Sequence, residues 1–162
     1  IDPADPTIEL DGSDVADLIR GPAVTPAVSA VSAVPAVRSQ LLSRQRDEVS
    51  KALAAGRGIV VEGRDIGTVV LPNADVKVFL VADAAVRAQR RAMQDAQRDL
   101  SAPSADQSVV REQLERRDAA DSGRAVSPLA AASDAVTVDA TELTLEQVVA
   151  VVLELVDEVL AR

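Results

Sequence analysis

The sequence predicts an α/β fold, helices packed on a mostly parallel sheet, on three observations. Apolar strand-like runs alternate with amphipathic helical stretches in the second half of the chain, the order that such a sheet requires. Residues 76–81 are apolar apart from Lys77, as expected of a strand covered on both faces. Helix-start signals follow two of the strand candidates: Asp83 after the first, and the capping box Thr144-Leu145-Glu146-Gln147 after residues 135–138.

The elements are taken in chain order. Residues 1 to about 36 are rich in Pro, Ala, Ser and Asp. Within them Thr7-Ile8-Glu9-Leu10 alternates like a short strand, and Asp11-Gly12 is a hairpin-turn signal. Residues 15–19 suit a helical turn or edge structure, and Pro22, Pro26 and Pro35 break residues 22–35 into irregular or short helical pieces. After Pro35 a helix is expected, with Val37, Leu41, Leu42, Val49, Ala52 and Leu53 along one stripe and Gly56 closing its C-terminus. Strands are expected at residues 59–61, 76–81 and 135–138, with Thr68-Val69-Val70-Leu71 leading into a turn at Pro72-Asn73. A helix runs from Asp83 to about Gln97, and a last one buries Val148, Val152, Leu155 and Val159.

Residues 98–128 differ in character. They are polar, open with Ser101-Ala102-Pro103, and carry a second capping box at Ser104-Ala105-Asp106-Gln107. A helix from there sets Val110, Leu114, Arg117, Asp121 and Arg124 along one face. Such an arm, flanked by Pro103 and Pro128, could close over an anion, or it could be a solvated helix laced with i,i+4 ion pairs.

Composition narrows the chemistry. Hydrophobic residues make up 48% of the 162, enough for one domain with a core and a small subdomain. Phe79 is the sole aromatic, so stacking of bases on rings is not on offer. With no histidine and no cysteine, imidazole acid–base chemistry, thiol nucleophiles, disulfides and zinc sites are excluded. The net charge of −9 argues against a nucleic-acid polymer as partner. No apolar run reaches the ~20 residues of a membrane span. Against this acidic background, all cations except Lys51 and Lys77 are arginines, which grip phosphate and carboxylate in a planar, bidentate manner. A GC-rich genome would also favour arginine codons, so placement matters more than number.

One placement stands out. Glu62-Gly63-Arg64-Asp65-Ile66-Gly67-Thr68 comes directly after the run Gly58-Ile59-Val60-Val61. An arginine and an aspartate delivered between two glycines at a strand end suit a polar ligand, the arginine matching a phosphate and the aspartate accepting from amino groups. The plainer alternative is a β-turn with a surface ion pair.

The octad Gly63-Arg64-Asp65-Ile66-Gly67-Thr68-Val69-Val70 resembles the signature of bacterial cytidylate kinases. So does the downstream order: the strand at 76–80, a helix with Arg87, Arg90 and Arg91, then Arg117-x-x-x-Asp121-x-x-Arg124-Ala125-Val126. Upstream, Leu10-Asp11-Gly12-x-Asp14-Val15-x-x-x-Ile19-Arg20 is similar to the same family's nucleotide-binding insert. The stretch from Val28-Ser29-Ala30-Val31 through Pro35-Ala36-Val37-Arg38 to Leu41-Leu42-x-Arg44-Gln45-Arg46 continues that likeness.

The resemblance implies a P-loop nucleoside monophosphate kinase with a three-layer parallel sheet, moving the γ-phosphoryl of ATP, bound with Mg²⁺, onto CMP or dCMP. It implies that residues 1–36 are part of a CMP-binding subdomain, with α/β core at 37–97 and 126–162 and a helical lid at 98–125. Ser29, Arg38 and Asp65 would read the cytosine edge, and CMP would sit in a cleft between the first two and the Arg64 loop. Arg64 and Arg124 would hold the acceptor phosphate as the catalytic cations, Arg117 with Asp121 would contact the sugar, and Arg90 and Arg91 would lie near the lid. No protein metal site is expected, nor a nucleic-acid or membrane partner, and the setting implied is a cytoplasmic monomer.

One part of the pattern is missing. The sequence contains no G-x-x-x-x-G-K-[ST], and neither lysine is preceded by a glycine. With a start at Ile1-Asp2-Pro3, this leads to the expectation of a C-terminal portion of the kinase, incomplete at its N-terminus and incompetent alone. The alternative is a regulatory relative that keeps nucleotide binding without a P-loop. A third reading takes Asp65-Ile66-Gly67-Thr68 as the phosphate hairpin of an actin-like sugar kinase, a fold that needs two large lobes.

Overall fold

A computed structural model describes residues 7–21, 24–98, 107–123 and 129–161. The chain forms two compact units, Ile1–Arg57 and Gly58–Arg162.

The first unit opens with a hairpin of strands β1 (Glu9–Leu10) and β2 (Ser13–Asp14). Asp11 and Gly12 between them have φ of 52° and 77°, the double left-handed turn that matches strand twist. Next come a 3₁₀ turn at Leu18–Arg20 and helices α1 (Thr25–Ser32) and α2 (Pro35–Ala54), which pack together. Pro35 falls in the first turn of α2 and holds Val34 extended, so the two helices stay separate. At the far end Gly56 has φ 67° and donates to Leu53 O at 2.9 Å, while Arg57 N reaches Ala52 O at 3.0 Å. That pair of bonds satisfies carbonyls the helix would leave open. The expected stripe is only half-covered: Val37, Leu42, Val49 and Ala52 are half-buried, and Leu41 and Leu53 are exposed.

The second unit has a parallel pair, β3 (Val78–Val81) and β4 (Val136–Asp139), in register Val78 to Val136 through Val81 to Asp139. Around it are α3 (Ala84–Arg98), α4 (Gln107–Ser122) and α5 (Leu145–Leu160). The Asp83 Oδ1 accepts from Ala85 N at 2.7 Å and starts α3, while Asp83 N donates to Thr141 Oγ1 at 2.9 Å beyond β4. Helix α4 packs on α3, and Val70, Ala88, Val110, Val138 and Ala140 form the buried core. The predicted stripe of α5 lies on its half-buried side.

Three sequence expectations are corrected. Residues 59–61 do not form a strand: Val60 is 94% exposed, and no described segment pairs with them. A β-prone run becomes a strand only when a neighbour takes up its backbone groups, so the parallel strands among the described residues number two, not three. The Asp65-Ile66-Gly67-Thr68 stretch, which the sugar-kinase alternative makes a hairpin between strands, instead leads into a π-helical turn (Ile66–Val70), with Val70 N to Asp65 O at 3.2 Å and Leu71 N to Ile66 O at 2.7 Å. Val70, 3% exposed, pins that turn to the core. The sugar-kinase hairpin therefore does not form. The two remaining strands shift slightly, to Val78–Val81 and Val136–Asp139. Strand β3 begins after Lys77, whose ammonium is bound by Asp134 Oδ2 at 2.6 Å and by the Pro72 carbonyl.

The α5 capping box forms as predicted: Gln147 N donates to Thr144 Oγ1 at 3.3 Å, and Thr144 N to Gln147 Oε1 at 2.8 Å. Thr144→Ala should destabilise the protein by about 1 kcal/mol. Thermal denaturation of the two forms checks this; equal melting temperatures would mean the box contributes nothing.

Candidate functional site

The loop that carries Arg64 is shaped by its neighbours. A Cβ on Gly63 would come within 2.8 Å of Ile66 Cδ1 and 2.9 Å of Cγ1, so glycine lets Ile66 fold back over the loop. The Asp65 carbonyl accepts from Val69 N at 2.9 Å and Val70 N at 3.2 Å, with Thr68 Oγ1 at 3.3 Å. This tight turn directs the Arg64 guanidinium onto α4.

There it meets two carboxylates. Arg64 Nε donates to Asp121 Oδ2 at 2.8 Å, and Nη2 donates to Asp118 Oδ1. The other oxygen of Asp118 accepts from Arg87 Nη1 on α3. Arg117 Nε lies 3.9 Å from Asp121 Oδ2, on the exposed side of α4. Charges thus alternate from Arg87 through Asp118, Arg64 and Asp121 to Arg117. Three cations against two anions leave one net positive charge, within a chain whose total is −9.

Burial governs how firmly these charges are held. The Asp121 side chain is 3% exposed and that of Arg64 35%. Burial alone would favour a neutral Arg64, but hydrogen bonds and charge from Asp118 and Asp121 outweigh it and raise its pKa further. Burial likewise works against an ionised Asp118, yet the bonds from Arg87 and Arg64 prevail and hold its carboxyl below the usual aspartate range.

Of the residues singled out from the sequence, Arg64, Asp121 and Arg117 come together here. Asp65 is half-buried beside Arg64. Arg90 turns elsewhere: its Nη2 donates to Ala140 O at 2.7 Å and Leu143 O at 2.9 Å, holding the turn before α5. Arg91 pairs with Asp95 at 3.0 Å on its own helix. Arg38, in the other unit, has Nη1 3.5 Å from Ser32 O. The Ser29 side chain, Arg124, and the proposed cap at 104–106 with Pro103 and Pro128 lie outside the described residues.

Asp118 and its link to Arg87 escaped the sequence reading. Val110, Leu114, Asp118 and Asp121 are spaced four, four and three, as consistent with one helix face as the line through Arg117. Packing on α3 selects the former. The signal was present in the spacing, but a neighbouring arginine fitted it equally well.

An α/β unit that gathers arginines around partly buried carboxylates, with a guanidinium fork to spare, has the equipment of an anion-binding protein. Residues 3–158 match the family model described as Cytidylate kinase. The chain is 56% identical over 156 residues to a cytidylate kinase of Streptomyces griseus, covering 96% of this chain and 63% of the relative. It is 54% identical over 157 residues to one of Rhodococcus opacus, covering 97% and 66%, and 48% identical over 149 residues to one of Geobacillus kaustophilus, covering 92% and 63%. The chain belongs to the cytidylate kinase family. It spans a little under two thirds of the length of these curated relatives.

The Asp118 shift makes a pH prediction. Folding favours its ionised form, so its contribution is complete above the ordinary aspartate pKa of about 3.9 and is lost as pH falls through the lower folded value. Melting temperatures of the wild type and Asp118→Asn should differ most near neutrality and converge below about pH 4. A gap that stays constant into that acid range would show that the carboxylate charge is not what holds α4.

Proposed function

We propose that this chain supplies the acceptor half of a kinase that transfers the ATP γ-phosphoryl to CMP or dCMP, giving CDP or dCDP. The observation that carries this is Arg64, gripped along one edge by two carboxylates, with Nη1 unpartnered among the described residues. It sits in the octad where the chain resembles its family.

In this reading Arg64 and Arg124 hold the acceptor phosphate. Arg117 meets the sugar, with Asp121 beside it. Ser29, Arg38 and Asp65 recognise cytosine, whose amino donor and ring acceptors suit one carboxylate with hydroxyl and guanidinium donors. Arg90 and Arg91 take a lesser place near a lid formed by residues 98–125. The whole would be a three-layer P-loop architecture.

An oxygen of the CMP phosphate bonds to the γ-phosphorus of ATP while the bond to the β-phosphate oxygen breaks. That oxygen is already anionic, so no histidine is needed to remove a proton, and alignment with cationic stabilisation supplies the acceleration. Mg²⁺ arrives as part of the ATP substrate. No group of three or more carboxylates among the described residues could hold a metal.

The donor half is a separate matter. The sequence has no P-loop motif, and both lysines are engaged: Lys51 with Glu48 at 2.8 Å, Lys77 with Asp134 at 2.6 Å. These 162 residues alone are therefore expected not to turn over ATP and CMP, because an acceptor without an aligned donor gains little. Coupled ADP release should be absent from this chain and present, with Mg²⁺, in a version carrying a P-loop segment. Turnover by the chain alone would overturn the division into halves. Silence from both, with CMP still bound, would favour a nucleotide-binding regulator.

Base recognition has its own test. Asp65→Ala should weaken CMP binding by about 1–3 kcal/mol, the penalty for leaving a buried donor unpaired, and leave AMP binding unchanged. Calorimetry measures both. Equal affinities for CMP and AMP, untouched by the substitution, would rule out cytosine reading by Asp65.

A further inference from the structure

We propose that Asp118 is a positioning residue, fixing the Arg64 guanidinium for the acceptor phosphate, and that Arg87 in turn fixes Asp118. This rests on the reading of Arg64 as a phosphate ligand.

A guanidinium presents five N–H groups in one plane. Nε and the adjacent hydrogen of Nη2 form its side edge, and in Arg64 that edge is filled by Asp121 and Asp118. What remains is the end fork of Nη1 and Nη2, the geometry that meets two phosphate oxygens at once. With both carboxylates in place the plane of the group is set. With Asp121 alone, one bond at Nε leaves the plane free to swing, and small displacements of a positioning cation lower rates steeply.

The second layer is Arg87. Asp118 extends from α4 and would be mobile on its own stem, but its second oxygen is held by Arg87 Nη1 from α3. The Nε of Arg87 is buried and has no partner among the described residues, so the hold on Asp118 is the polar contact that fixes this side chain. Two helices and the loop thus meet at a single carboxylate.

Charge and position predict opposite outcomes, which makes the inference testable. Asp118→Asn removes a negative charge and raises the local positive field, so electrostatics alone would strengthen phosphate binding. Loss of positioning would weaken it.

The experiment is calorimetric titration of the full-length protein with CMP and, separately, with cytidine, which lacks the phosphate. Wild type, Arg64→Gln, Asp118→Asn and Arg87→Gln are compared. Asp118→Asn should weaken CMP binding roughly tenfold and leave cytidine unchanged, with Arg87→Gln giving a smaller loss of the same selectivity. Unchanged or tighter CMP binding by Asp118→Asn, while Arg64→Gln still weakens it, would overturn the inference and leave the kinase reading standing. Equal losses for CMP and cytidine would also overturn it, as a mere packing effect. CMP binding indifferent to Arg64→Gln would remove the underlying reading itself. Should Asp118→Asn fail to fold, Arg87→Gln decides: a selective CMP loss supports the inference, and an unchanged CMP affinity overturns it.

Discussion

The shared carboxylate of Asp118 is the constraint on which the candidate site depends. It lets two arginines, from the Arg64 loop and from α3, come close to one another without repulsion. Exposed ion pairs contribute little, since water and salt screen them and long side chains lose freedom. This cluster is different because Asp121 is almost wholly buried and Asp118 is shared. Removing Arg64 would take a charged partner from Asp121, whose side chain is 3% exposed, and that costs more than the loss of a surface pair. The network therefore acts as a joint: α4 cannot leave α3 without releasing Arg64, and Arg64 cannot turn without disturbing α4.

That joint also governs how α4 is held. Helix α4 carries Asp118 and Asp121 on the side packed inward, and Arg117 on the side facing out. A motion that swung α4 away would have to break three ion pairs at once. The paired charges hold the Arg117 end of α4 to the core.

What was legible in the sequence was local. The Asp11-Gly12 turn, the break before Pro35, the Gly56 stop, the Asp83 cap and the Thr144–Gln147 box each depend on a few adjacent residues, and each formed. The family octad was legible for the same reason, as a contiguous string. What was not legible depended on partners distant in sequence. Residues 59–61 have strand composition, but composition does not say whether a neighbour is there to pair with them. The π turn at Ile66–Val70 needs Val70 drawn into the core, a tertiary event that the adjacent residues do not announce. Within α4, helical spacing placed Asp121 correctly and left the choice between Arg117 and Asp118 to packing.

Lys77 has a practical consequence of another kind. The chain has two lysines, and their surroundings are opposite: the Lys51 side chain is 70% exposed, that of Lys77 only 6%. Acylating reagents need an accessible amine, and the enclosed Lys77 amine, bound to Asp134 and a backbone carbonyl, offers no approach. Amine-reactive dyes and cross-linkers should therefore mark Lys51 on the first unit and pass over the second. That gives a single internal attachment point for a fluorophore, on a different unit from every arginine in the charge chain.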